Sequence, residues 1–204
     1  MPKIGYGNII ISCGGEDIMD NKVKELQEKL RTKRPERWEL IPDIDLYMDQ
    51  IAAYMMRQHI GLADDDNDEA LTSAMINNYI KSGILPRANG KKYNKDHIVY
   101  LTAICLLKQV VSVSDTGALL SALLENQTAQ ELYGNYAETE DRELRLAADL
   151  LDGISSRTQM AETALKLAVS SYAQKYACKK LIDMLKSERQ DESQKTKKAK
   201  KYAD

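Results

Sequence analysis

The chain has 204 residues, of which 43% are hydrophobic and 29% charged, with a formal net charge of −2. That length suits one compact domain or two small ones, and the near balance of charge excludes a uniformly basic nucleic-acid coat. The balance is local in origin, however. Between Glu36 and Glu69 the acids Glu36, Glu39, Asp43, Asp45, Asp49, Asp64, Asp65, Asp66, Asp68 and Glu69 face only Arg37 and Arg57. Between Thr72 and Lys108 the sign reverses, with Lys81, Arg87, Lys91, Lys92, Lys95 and Lys108 against Asp96 alone. DNA responds to local charge, so such a segment can bind it within an acidic chain.

Phe is absent, Pro is rare, and strong β runs are nearly missing, which favours an all-α fold with only a small β element. Residues Gly14-Gly15-Glu16 are encoded by GGN-GGN-GAR, which can spell a ribosome-binding sequence ahead of Met19. Met19 is therefore expected to be the true start and residues 1–18 a translated leader, against a competing reading of Ile9, Ile10 and Ile11 as a short strand. Asp20 caps a helix through Arg34, with Val23, Leu26 and Leu30 on one side and Pro35 as its stop. Trp38, Leu40 and Ile41 form an apolar connector. Ile44, Tyr47, Met48, Ile51, Met55 and His59 recur at three-four spacing and predict an amphipathic helix closed by Gly61. An acidic loop follows.

Thr72 predicts an N-cap for a helix ending at Gly83. Pro86 holds Leu85 extended, and Asn89-Gly90 signals a tight turn between two short extended segments. Asn94 caps a helix that is apolar nearly all round, from Ile98 to Val111, and so should be the central buried one. Ser114 caps a short helix with Leu119, Leu120, Leu123 and Leu124. A helix from about Glu138 to Leu151 ends before Gly153. A long one from about Arg157 to Lys186 presents Met160, Ala164, Leu167, Ser171, Cys178, Ile182 and Leu185 on one face, and serves either as a dimer strut or as a helix folded back on its own chain. The polar tail from Glu188, ending KTKKAKK, is expected to be disordered; its lysines either solubilise it or add non-specific phosphate contacts. The resulting division is an N-terminal leader and helix over 1–40, a core unit over 41–125, a helical dimerisation or sensing region over 126–188 and a basic tail over 189–204.

Catalytic chemistry is thinly supplied, and no enzyme activity is expected. The two histidines, His59 and His97, lie in no metal-ligand pattern; both read as packing residues, with a phosphate-facing surface as the competing reading of His97 at the start of its helix. Asp64, Asp66 and Asp68 imitate a calcium loop, but Glu69 stands where the EF-hand needs glycine and Met75 where it needs glutamate. Cys13, Cys105 and Cys178 form no CxxC pair, as in reduced intracellular proteins, and Cys105 lies in an apolar helix. No apolar run reaches membrane-spanning length, so a cytoplasmic protein without cofactor, metal or membrane partner is expected.

DNA binding is better supplied. A helix in the major groove needs short polar side chains to reach base edges. Thr72, Ser73, Asn77, Asn78 and Tyr79 suit that over helix 72–83, with Lys81 placed for a phosphate. Arg87, Lys91, Lys92 and Tyr93 would form a backbone-gripping wing over 86–93. These residues also carry a resemblance. MINNYIKSGILP followed by GKKYNKDHI resembles the MerR-type winged helix-turn-helix, with Met75 to Tyr79 in the recognition helix, Gly83 to Pro86 in its GLL-P signature, Lys91 to Tyr93 in the wing, and Ser112 to Asp115 in the turn before the next helix. Asn77 stands where MerR proteins carry Arg, and the acidic loop Asp64–Glu69 replaces their short turn. IDLYMDQ, LTSAMINNYIKSGILP, KKYNKDHI and ICLLKQVVS together are similar to an uncharacterised bacterial family, domain of unknown function eighteen thirty-six, over about Ile41 to Leu124. The resemblance implies a transcriptional regulator that binds double-stranded DNA at a promoter as a homodimer, its effector unknown. The competing expectations are a helical protein-interaction adaptor and a small-molecule-binding bundle, both without DNA binding.

Overall fold

The structure, a computed structural model, describes residues 14–58 and 71–201. Among these, seven α-helices follow one another: α1 (Gly14–Thr32), α2 (Met48–Arg57), α3 (Ser73–Lys81), α4 (Lys95–Leu107), α5 (Val113–Leu124), α6 (Ala129–Asp149) and α7 (Arg157–Lys201), with a short 3-10 turn at Trp38–Leu40. The all-α class holds. His59, Gly61 and the acidic loop Asp64–Glu69 lie outside the described residues. So do residues 1–13 of the proposed leader; Met19 sits within α1, which runs back to Gly14.

Local chemistry explains most of these boundaries. The Thr72 hydroxyl accepts the Met75 N–H at 3.2 Å and starts α3. At the other end the Ile84 N–H reaches the Tyr79 carbonyl and the Gly83 N–H reaches that of Ile80, a Schellman ending that needs the positive φ of Gly83, +72°. Asn94 caps α4 in a reciprocal box with His97. Elsewhere the expected boundaries shift. Helix α2 begins at Met48, because Leu46 is held extended by paired backbone bonds to Tyr93, both 2.8 Å; Ile44 and Tyr47 are exposed instead of joining the apolar face. Ser112, not Ser114, caps α5. Helix α6 starts at Ala129, nine residues before the expected Glu138, because Thr128 and Glu131 form a capping box. The backbone through Lys201 continues α7, where the polar composition of the tail reads as disordered.

The main core gathers α2 through α6 around α4, whose Ile98, Leu101 and Ile104 are fully buried against Ile51, Ile76, Leu85 and Leu120. A second, smaller cluster joins α1 to α6 and the start of α7 through Leu30, Ala148, Leu151 and Ile154, with Met160 and Leu167 packed on it. Gln27 and Arg31 reinforce it by bonding Asp149, Asp152 and the Ala148 carbonyl. Helix α1 is thus part of the folded body. Farther along, α7 docks on α5 through the fully buried Ile182 and through Asp115, which accepts from Lys179 at 3.0 Å and Lys186 at 2.5 Å. Between these two anchors residues 168–177 are exposed on all sides. Helix α7 is therefore folded back on its own chain at two places and unsupported between them.

Candidate nucleic-acid interface

Helix α3 divides cleanly by face. Ile76 and Tyr79 point into the main core, with Met75 and Ile80 partly buried beside them. Ser73, Asn77 and Lys81 follow one another at intervals of four on the opposite face, and Asn78 lies next to that row; all four are exposed. This is the division expected of a helix that packs by one side and offers the other to a groove. Thr72 is exposed too, but its hydroxyl is engaged in the cap.

Two of the expected contact residues are core residues instead. Tyr79 is 5% exposed and Tyr93 is 4% exposed. Tyr79 falls three residues after Ile76, on the same apolar side of the helix. Tyr93 is drawn inward by its pairing with Leu46 and by an edge-on contact with the His97 ring, 5.3 Å between centroids. Neither tyrosine can reach a DNA surface. Burial lowers the pKa of His97, with the nearby Arg87 backbone and the Asp96 carboxylate opposing. The imidazole stays neutral near pH 7 and serves as cap and packing group.

The wing takes a different form from the one expected. Among the described residues no strand is formed; the segment holds isolated bridges, Asn89 to Lys92 and Leu46 to Tyr93. Asn89 and Lys92 exchange both backbone bonds at 3.0 Å around a two-residue turn. Its central residues are Gly90 and Lys91, with φ of +55° and +73°, the signature of a type I′ hairpin. The expected Asn89-Gly90 turn is thus shifted by one residue, putting Lys91 at the tip in left-handed backbone. Pairing stops after one step because the next hydrogen-bonded pair would be Arg87 with Asn94, whose N–H is already taken by the His97 ring in the cap of α4. Arg87, Lys91 and Lys92 all remain exposed on this hairpin.

Two further lysine interactions lie beyond what residue spacing indicates. Lys95 Nζ sits 4.3 Å from the Trp38 ring centroid, and Lys92 Nζ lies 5.9 Å from that of Tyr47. They tie the basic segment to the connector ahead of α2. Both span about fifty positions of chain, so only the folded arrangement shows them. Among the described residues no group of His, Cys, Asp and Glu is placed to hold a metal ion, and no helix is long and apolar enough to cross a membrane.

No curated protein and no solved structure matches the chain. A family profile described as "Domain of unknown function (DUF1836)" matches residues 36–139, just over half of the chain, taking in the 3-10 turn, α2 to α5, the hairpin and the first half of α6. The chain belongs to that family.

Proposed function

We propose that this protein is a DNA-binding transcriptional regulator, acting as a homodimer in the manner of a MerR-type winged helix-turn-helix. One observation carries the reading: a helix with a wholly exposed polar face, Ser73, Asn77, Asn78 and Lys81, leads directly into an exposed hairpin bearing Arg87, Lys91 and Lys92. The element order, helix, helix, hairpin, helix, helix, agrees with it. In this reading α3 enters the major groove and the hairpin tip grips the phosphates beside it. Asn77 and Asn78 each offer a donor and an acceptor, the pair an adenine edge requires.

The dimer is assigned to α7. Leu165, Val169, Tyr172 and Tyr176 recur at four-three-four spacing from the first anchor of α7 along its unsupported middle and are 57–73% exposed. That is the spacing of a coiled-coil seam, and a second copy of the same helix would cover it. A partner protein seated on the same stripe is the competing adaptor reading.

Fluorescence anisotropy against the protein's own promoter region, with competitor DNA at moderate salt, separates the two. Saturable binding by a species that sediments as a dimer supports the regulator. A monomer that shows no binding overturns it. Within the bound state, Asn77→Ala or Asn78→Ala should change the ranking of operator variants by about 1–3 kcal/mol for each base no longer read. Selection from a randomised duplex pool measures this directly; an unchanged ranking removes α3 from the base-reading role.

A further inference from the structure

The apolar stripe on α7 is not the same along its length. Its N-terminal half holds the smaller Leu165 and Val169, its C-terminal half the larger Tyr172 and Tyr176. One turn outside it, Glu162 precedes the stripe and Lys179 follows it, both exposed. At about 3.6 residues per turn, the stripe lies opposite Met160, Leu167 and Ile182, the residues that dock α7 on its own chain. A second helix can therefore cover the stripe without displacing either anchor.

These asymmetries decide which way a second copy runs. In a parallel pair each residue meets its own counterpart. The seam would be thin at Val169 and thick at the two tyrosines, Glu162 would face Glu162, and Lys175 would lie beside Lys180 of the second copy. In an antiparallel pair centred between Ser170 and Ser171, Leu165 meets Tyr176 and Val169 meets Tyr172. Every layer then joins one smaller and one larger side chain, so the two helices stay evenly spaced. Glu162 meets Lys179 of the second copy. That ammonium is bound to Asp115 and Asp183 in its own chain and has a third hydrogen to donate. Lys175 comes beside Ala168 instead of another lysine.

We infer that two copies of this chain pair through α7 in the antiparallel sense, about a two-fold axis between Ser170 and Ser171. The inference rests on the dimer reading above and adds its direction and register. It also sets the spacing of the folded bodies. Ile182 lies about eleven and a half residues from the axis, so the two Ile182 anchors stand about 35 Å apart along the helices. Each anchor holds α5, and α5 lies close against the end of α3: a methyl group on Gly117 would stand 2.7 Å from Ile84 Cγ1. A separation of about 35 Å is one turn of B-DNA, which suits two α3 helices entering successive major grooves on one face. A parallel pair would bring the anchors side by side.

Spin labels measure the direction directly. Gln174, Leu181 and Glu188 are exposed, lie seven residues apart and so share one face away from the seam. Each is replaced in turn by labelled cysteine (Gln174→Cys, Leu181→Cys or Glu188→Cys) in the full chain carrying Cys13→Ser and Cys178→Ser; Cys105 is buried. Antiparallel pairing separates the two labels along the helix axis by about 10, 30 and 50 Å. Distances from pulsed dipolar spectroscopy should therefore rise in that order. Equal distances at the three sites would mark a parallel pair, overturning the inference while keeping the dimer. Rising distances that extrapolate to a centre away from residues 170–171 overturn it too. No distance between copies overturns it whatever the oligomeric state, and sedimentation as a monomer then removes the dimer reading as well.

Discussion

Alanine at both Lys91 and Lys92 should weaken binding to every DNA sequence by about 30-fold near 0.15 M salt, with sequence ranking unchanged. The figure comes from counterion release: each phosphate neutralised contributes about 0.9 to the slope of log affinity against log salt, so removing two lysines flattens the slope by nearly two. The structure favours this pair because both side chains are exposed on a hairpin whose backbone is fixed by reciprocal bonds between Asn89 and Lys92. The turn therefore survives their truncation, and the weakening reports charge and not unfolding. Anisotropy titrations at four or five salt concentrations give the slope. A double variant with the parental slope would take the hairpin out of the interface. Asn77→Ala and Asn78→Ala are the complement, since base readout changes ranking and leaves the salt slope nearly alone.

Removing the carboxylate of Asp115 on α5 should loosen the docked half of α7. Asp115 is 4% exposed and accepts from both Lys179 and Lys186. These hydrogen bonds, with one from Ser112, hold its pKa far below the usual carboxylate range despite its burial. Breaking a buried ion pair costs about 3–5 kcal/mol when a charge is stranded. Here the stranded partners are lysines whose side chains are 46% and 31% exposed and can turn to solvent. About 2–3 kcal/mol is therefore expected for Asp115→Asn, or roughly 5–10 °C in Tm for a chain of this size. Faster amide exchange over residues 178–189 should accompany it, because Ile182 and the exposed hydrogen bonds of Lys186 to Ser114 and Arg189 to Ser121 then hold α7 to α5. The pH dependence follows in sign. A depressed folded pKa gives stability that is fully present above the ordinary carboxylate value near 4 and is lost as pH falls below it. Acid unfolding of the parent should carry this component and Asp115→Asn should lack it. Identical acid curves would show that the carboxylate does not hold α7.

Local signals make much of this fold legible in the sequence. Thr72, Asn94 and Gly83 mark helix ends through bonds to residues within five positions, so their neighbours suffice to find them. The same holds for α4, whose apolar surface all round means burial on every side. Non-local pairings are not legible. Leu46 reads as part of an amphipathic helix until Tyr93, 47 positions later, claims its backbone. Tyr93 reads as a wing aromatic for the same reason. Other shifts have signals in the sequence that spacing alone outweighs. Thr128 with Glu131 is a capping box, and Tyr79 falls on the same side as Ile76. At the candidate interface, the exposed residues Ser73, Asn77, Asn78, Lys81, Arg87, Lys91 and Lys92 fall where the polar pattern puts them, because short polar and basic side chains gain nothing from the core.

In the proposed regulator, the left-handed backbone at Lys91 sets folding stability against DNA binding. At a φ of +73° a lysine costs about 1 kcal/mol relative to glycine, which takes this conformation freely. Lys91→Gly should therefore raise the melting temperature by a few degrees while removing one phosphate partner from DNA binding. A protein selected only for durability would carry glycine or asparagine at that tip. In the proposed regulator, the lysine makes the turn a position where thermostabilising substitutions would be found readily in a stability screen and would each weaken DNA binding.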